Sequence, residues 1–288
     1  MDNTSNSNKP AIVPLPAFND NYIWLLRRHD QAAVVDPGDA APVLEYLDQH
    51  GLSLCAILVT HHHADHIGGI ADLLAHSPVP VFGPASEPIA ALTHRLHDGE
   101  RIEIPQIEAS FDILGIPGHT RAHIAYYGRN TSACEGRIES ANPFAGALFC
   151  GDTLFACGCG RVFEGTPPQM RASLARIAAL PDDTRIYPAH EYTLANTRFA
   201  LAVEPQNAAL LAWAKEVEKL RSTGQPTLPT TLRHELAVNP FLRWQAPAVI
   251  EAASRFRGQS LHKPDEVFTA IREWKNLLLR IVPHILYC

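Results

Sequence analysis

The sequence is short of charge and of long apolar runs. Asp, Glu, Lys and Arg make up 19% of its 288 residues, against roughly 25% in an average soluble domain. Together with 46% hydrophobic residues, this excludes a disordered chain. No stretch of about 18 apolar residues occurs, so no membrane-spanning helix is expected. The N-terminal MDNTSNSNKPA is polar and lacks an apolar core segment, so no secretory signal is expected. The six cysteines are then expected as reduced thiols of a cytoplasmic protein. Cys157 and Cys159 form C-x-C rather than the C-x-x-C of a redox pair or zinc ribbon. They are expected as a buried small residue and a loop thiol, without a function. A formal net charge of -6 gives no support to a nucleic-acid or anionic-membrane partner. There are no internal repeats.

Histidine, by contrast, is abundant: the chain has 15, ten of them between His50 and His123. Short apolar runs broken by turn residues fill the first two-thirds. AIVPLPAF, NYIWLLRR, AAVV, CAILVT, PVPVFG, RIEIP, FDILGIPG, HIAYYG, ALFCGDTLF and RIYPAH read as strands. Helices are expected over Ala41 to Gly51, near Gly68–Ala75, and from Thr166 through Leu180. The last has Thr as N-cap and Pro at its first position. Strands and helices interleave, so the class is α/β. The polar stretch Asn130 to Asn142 reads as a surface excursion. Beyond Tyr192 strand signals vanish, and NAALLAWAKEVEKL, PAVIEAASRF and DEVFTAIREWKNLLLRIV read as helices. A boundary near residue 192 is expected, followed by a helical domain.

The chemistry concentrates in Thr60-His61-His62-His63-Ala64-Asp65-His66, directly after a strand. Side chains two apart in an extended segment share a side, so His61 and His63 converge while His62 faces away. Four N/O ligands in six residues exceed what one open tetrahedral zinc site takes from a single loop. Two metal ions are the economical reading. Further donors stand just past other apolar runs: His119 in Gly-His-Thr, Asp152 in Gly-Asp-Thr and His190 in Ala-His-Glu. Such positions gather catalytic groups at the carboxyl edge of a sheet. A single carboxylate such as Asp152 is able to bridge two cations. Paired divalent ions activate water near neutral pH and polarise a carbonyl or phosphoryl oxygen. Hydrolysis without a serine or cysteine nucleophile is therefore expected, with Asp65 also orienting the attacking water.

H-x-H-x-D-H followed by separate His, Asp and His positions resembles the metallo-β-lactamase superfamily over roughly residues 10–192. The resemblance implies an αββα sandwich with a dinuclear site. It gives His61, His63 and His119 to one metal and Asp65, His66 and His190 to the other, with Asp152 bridging. His62 and His123 have no place in that pattern and are expected to pack or to support the ligands. GDTLFACGCGRVFEGT, HEYT, NPFLR and IREWK, with the N-terminal FNDNYIW and VVDPGDA, are similar to the hydroxyacylglutathione hydrolase (glyoxalase II) family nearly end to end. That resemblance implies a catalytic domain at 10–192, a helical glutathione-binding domain at 193–288, and hydrolysis of S-D-lactoylglutathione and related thioesters. It implies two divalent ions, zinc first, with iron and manganese as alternatives. A monomer without nucleic-acid or membrane partners is expected.

The family's substrate contacts map onto Arg161, Phe163, Tyr192, Arg272 and Lys275. Arg272 and Lys275 are i and i+3 on an expected helix and share a face, where together they suit a glutathione carboxylate. Without the resemblance they read as an ordinary solvated basic pair. Phe163 stands where some members carry tyrosine, which removes a hydroxyl donor at a cost of about 0.5–1.5 kcal/mol. Rival expectations are a glutathione persulfide dioxygenase using one iron, or a lactonase, β-lactamase or nuclease on the same fold.

Overall fold

The computed structural model describes residues 9–129 and 142–281. The stretch expected as a surface excursion lies, but for Asn142, outside the described residues. The chain forms two compact units, residues 1–115 with 122–151 and residues 116–121 with 152–288.

In the first unit, β1 (Ala11–Ala17) and β2 (Asn21–Arg28) form an antiparallel hairpin closed at Ala17 and Asn21, and β3 (Gln31–Val35) continues it. The chain then crosses through α1 (Ala41–His50) to β4 (Ser53–Leu58), parallel to β3. Gly51, left-handed at φ 61°, ends α1 where the sequence predicted. After β4 come a single turn α2 (Ala64–Ile67) and α3 (Ile70–His76). The strands β5 (Val81–Pro84) and β6 (His94–Leu96) then extend the sheet in parallel, giving the order β1-β2-β3-β4-β5-β6. Val34, Ile57, Val43, Leu47, Ile70 and Leu73 lie in its buried core, because parallel strands are covered on both faces.

A second set of strands in this unit runs antiparallel: β7 (Arg101–Ile104), β8 (Ala109–Gly115), β9 (Ile124–Tyr127) and β10 (Ala147–Gly151). Tyr126 on β9 donates its hydroxyl to the Val59 carbonyl at 2.8 Å and accepts from the Val59 amide at 3.2 Å. This fully buried phenol ties the two sets together with its polar end satisfied. ALFCGDTLF does not form one strand. Gly151 adopts φ 48°, and a Cβ there would stand 2.3 Å from Thr60 Oγ1, so the chain turns out of β10 before Asp152.

The second unit holds a small hairpin, β11 (Leu154–Phe155) with β12 (Gly158–Cys159). Next is α4 (Pro167–Ala178), opened by Thr166 in a capping box with Gln169. Then β13 (Arg185–Pro188) pairs with β14 (Thr230–Thr231). That last strand corrects the expectation that strands end at Tyr192. Two residues are too few to leave a periodic signal. The helices α5 (Thr193–Val203), α6 (Ala208–Ser222), α7 (Leu232–Val238), α8 (Pro247–Arg257) and α9 (Pro264–Ile281) make up most of the remainder. Phe199, Phe241, Phe268 and Trp244 meet in their core. Among the described residues, no helix is long and apolar enough to cross a membrane. Cys157, in the turn of the β11–β12 hairpin, and Cys159, on β12, are both buried. Burial pushes both thiols up, which keeps them unreactive.

Candidate metal centre

In the first unit the histidine run leaves the carboxyl end of β4 and folds back on itself. His63 caps α2, and Asp65 and His66 lie within that turn. His61 Nε2 comes 3.0 Å from His63 Nδ1, while His62 turns aside to pair with the carboxylate of Glu87. His123, fully buried, stacks on His61 with ring centres 4.6 Å apart. The expected packing role of His62 and His123 is what these contacts provide.

Asp36, just past the end of β3, organises the cluster. Its carboxylate accepts from the Thr60 amide and the Thr60 hydroxyl, each at 2.7 Å, and lies 3.1 Å from His66 Nδ1. Because the Thr60 hydroxyl gives its proton to Asp36, it accepts from His61 Nδ1 at 3.0 Å. Nε2 of His61 is then the basic nitrogen, as a ligand requires. The available signal was a carboxylate at a strand's carboxyl end followed by Pro-Gly. Asn21 donates to Asp65 Oδ2 at 3.0 Å. The Asp36-Pro37-Gly38 turn touches the histidine loop backbone to backbone: a Cβ on Gly38 would lie 1.9 Å from the Asp65 carbonyl oxygen.

In the second unit His119, Asp152 and His190 converge, all buried. Asp152 Oδ2 is 3.4 Å from His119 Nε2, and its Oδ1 is 3.3 Å from His190 Nε2. His119 donates from Nδ1 to the Arg161 carbonyl at 2.8 Å, which fixes Nε2 as the bare nitrogen. His190 lies flat on Tyr192, centroids 4.7 Å apart and planes within 5°.

The chemistry of these donors fits divalent metal ions. Tetrahedral N/O ligands at about 2.0–2.1 Å from an ion stand about 3.3 Å from one another, longer than a good imidazole–carboxylate hydrogen bond. The Asp152 pairs, at 3.3 and 3.4 Å, and His66 Nε2 to Asp65 Oδ2, at 3.5 Å, have that spacing. Asp152 turns one oxygen to each of two imidazoles.

Of the expected substrate contacts, Arg161 is exposed and Phe163 is 59% exposed, its ring 5.2 Å from that of His119. Arg272 and Lys275 share a face of α9, but it is not a solvated one: they are 2% and 6% exposed. Arg272 donates to the Cys159 carbonyl at 2.9 Å and to Asn276 Oδ1 at 3.0 Å, above the Phe241 ring. Lys275 donates to Asn196 Oδ1 and lies over Phe199 and Phe241. Burial, then the neighbouring Arg272 charge, brings the Lys275 ammonium down to about 7. Two cations held this dry favour an anion that neutralises them.

Comparison with known proteins agrees with this chemistry. Residues 17–190 match the model of the metallo-beta-lactamase superfamily, and residues 191–278 match that of the hydroxyacylglutathione hydrolase C-terminus. The chain is 53% identical over 272 residues to a hydroxyacylglutathione hydrolase of Cupriavidus taiwanensis, and 49% identical over 265 residues to one of Nitrosomonas eutropha. Both alignments cover 92% of this chain and 98% of the relative. Among solved structures it is similar in fold to ETHE1 from Myxococcus xanthus, with TM-score 0.58 and 22% identity over 93% of this chain and 98% of that one. It is also similar to TTHA1623 in a di-iron-bound form, with TM-score 0.53 and 26% identity over 81% of this chain and 100% of that one.

Proposed function

The chain belongs to the metallo-beta-lactamase superfamily and, within it, to the hydroxyacylglutathione hydrolases, and we propose that it hydrolyses S-D-lactoylglutathione to glutathione and D-lactate. The observation that carries this reading is the similarity to hydroxyacylglutathione hydrolases across 92% of the chain, helical region included. Residues 10–192 are assigned as the catalytic domain and 193–288 as the glutathione-binding domain. His61, His63 and His119 would hold one divalent ion, Asp65, His66 and His190 the other, and Asp152 would serve both. Zinc suits this imidazole and carboxylate set, with iron and manganese as competitors.

When bound, such ions lower the pKa of water towards neutrality and take up charge developing on a carbonyl oxygen. The protein's own groups do the rest. Asp65, steadied by Asn21, accepts a hydrogen bond from the attacking water and turns its lone pair to the thioester carbon. Arg161, Tyr192, Arg272 and Lys275 take the glutathione moiety, its carboxylate neutralising the buried pair on α9. Phe163 borders the glutathione moiety without a hydroxyl donor. The departing thiolate needs no dedicated acid, since a thiol pKa is about 8.5. A cytoplasmic monomer is the setting that fits a glutathione substrate and buried thiols.

The test is hydrolysis of S-lactoylglutathione by metal-replete protein, alongside nitrocefin, a phosphodiester and glutathione persulfide. Turnover of the thioester alone is expected. Its absence, with either of the other hydrolyses or persulfide oxidation present, overturns the reading. Elemental analysis is expected to return two divalent ions per chain.

A further inference from the structure

The hairpin β11–β12 sits between two supports of the proposed ligands. It starts just past Asp152, and its root is closed by Gly160 donating to the Thr153 carbonyl at 3.1 Å. It leads out to Arg161, whose carbonyl takes the Nδ1 proton of His119. The backbone from 152 to 161 therefore sets where the Asp152 carboxylate stands and how the His119 ring is turned.

A hairpin with two paired residues in each strand has little to hold itself in shape. Buried side chains from the helical region hold it instead. Asn196 donates to the Ala156 carbonyl at 2.9 Å. Asn239 donates to the carbonyls of Phe155 and Gly158 at 3.1 and 3.0 Å. Glu235 accepts from the Cys157 amide at 2.8 Å, where Cys157 adopts a left-handed φ of 55°. Glu235 also accepts from Asn239 Nδ2 and Thr230 Oγ1, each at 2.9 Å, while Asn239 Oδ1 accepts from the Phe241 amide at 3.0 Å. Both residues are fully buried. A carboxyl placed where leucine would pack is costly unless every partner is in place. Here each of its oxygens has a donor.

We propose that Glu235 and Asn239 are positioning residues of the hydrolytic centre. They fix the 154–159 hairpin so that Asp152 and His119 present their ligand atoms in register. This rests on the reading of Asp152 and His119 as metal ligands.

Asn239→Leu removes the donors and keeps the number and branching of the side-chain heavy atoms. Glu235→Gln keeps an acceptor for Cys157 and Asn239, and its amide nitrogen meets the Thr230 hydroxyl, which turns to accept. For Asn239→Leu, metal dissociation constants are expected to rise about 10–100-fold, the effect of losing a partner that orients a ligand. A comparable fall in kcat is expected, with KM little changed and a shifted visible spectrum in the cobalt-substituted protein. Glu235→Gln is expected to restore wild-type metal affinity, kcat and spectrum.

If Asn239→Leu lowers only the melting temperature, leaving metal affinity, kcat and spectrum alone, the inference is overturned. It is equally overturned if Glu235→Gln is as damaged at the metals as Asn239→Leu. Should Asn239→Leu fail to fold, Thr230→Val removes one hydroxyl from Glu235 and is read the same way, for about a threefold rise in metal dissociation; no change there counts against the inference. Asp152→Ala separates the two levels. If it keeps both ions, the ligand reading itself fails. If it loses them while Asn239→Leu behaves as wild type, only the positioning role fails.

Discussion

Four proposed ligands, His61, His63, Asp65 and His66, come from one run of six residues, whereas His119, Asp152 and His190 come from three separate stretches. The two groups are held by different means. The contiguous run is fixed by backbone against backbone, with Gly38 touching the Asp65 carbonyl and Gly68 touching Gly38, and by the Asp36 carboxylate and the Asn21 amide. The dispersed group is fixed by side chains on main-chain groups: His119 on the Arg161 carbonyl, and Asn239, Glu235 and Asn196 on the hairpin after Asp152. A ligand cluster encoded locally needs tight turns and glycine where turns meet. One assembled from distant stretches needs buried polar partners that leave no donor or acceptor unused.

The largest expected effect breaks the dispersed group at its centre. Asp152→Ala should lower kcat on the order of 10³-fold, since a metal-activated nucleophile is lost; elemental analysis with single-turnover kinetics checks this. Breaking the contiguous group at its backbone contact comes next. Gly38→Ala puts a methyl group into the Asp65 carbonyl and should destabilise the protein by about 3 kcal/mol, seen in chemical unfolding of the metal-free form. If Gly38→Ala folds with unchanged stability, the backbone contact is not what holds that loop.

Asp36→Asn sharpens the comparison. It keeps the shape but removes the charge beside His66, and should weaken metal binding about 10–100-fold, read by chelator competition. Lys275 then tests the helical side through pH. Its ammonium titrates at about 7 because burial, then the Arg272 charge, disfavours protonation, with Arg161 adding to this and Cys159 and Cys157 opposing it. The free protein therefore carries the charge below pH 7 and loses it above, while a bound carboxylate favours the charged form. Affinity for S-methylglutathione should fall about tenfold from pH 7 to 8.5 with proton uptake, measured by calorimetry in two buffers; a flat profile would falsify a carboxylate contact at Lys275. The smallest change is Phe163→Tyr, where one exposed hydroxyl should improve KM about twofold, the low end of the roughly 0.5–1.5 kcal/mol that a hydrogen bond contributes.

Much of this was legible beforehand. The strand-then-His61 pattern, the Thr166 cap, the Gly51 stop and the long helices α6, α8 and α9 all follow from local chemistry: periodicity, capping and imidazole spacing. Less legible were features built from contacts distant in sequence. The strand β14 is too short for any pattern, and Asp36 looks like an ordinary turn residue until His66 and Thr60 are beside it. Arg272 and Lys275 have the spacing of a solvated pair, and only their packing against Phe241 and Asn196 shows them buried.

The sequence by itself determined that a strand would end in a histidine run with the spacing of metal ligands, that further His and Asp donors would follow other strands, and that helices would follow the strand-rich part. Spacing along one backbone is enough for that, because side-chain direction repeats with the chain's own period. Only the tertiary structure decided which nitrogen of His61 and of His119 is bare, that Asp152 faces two imidazoles, and that a buried carboxyl and two asparagines brace the hairpin beside it. Those outcomes depend on hydrogen-bond partners far away in sequence, and a buried polar group takes its state from what surrounds it.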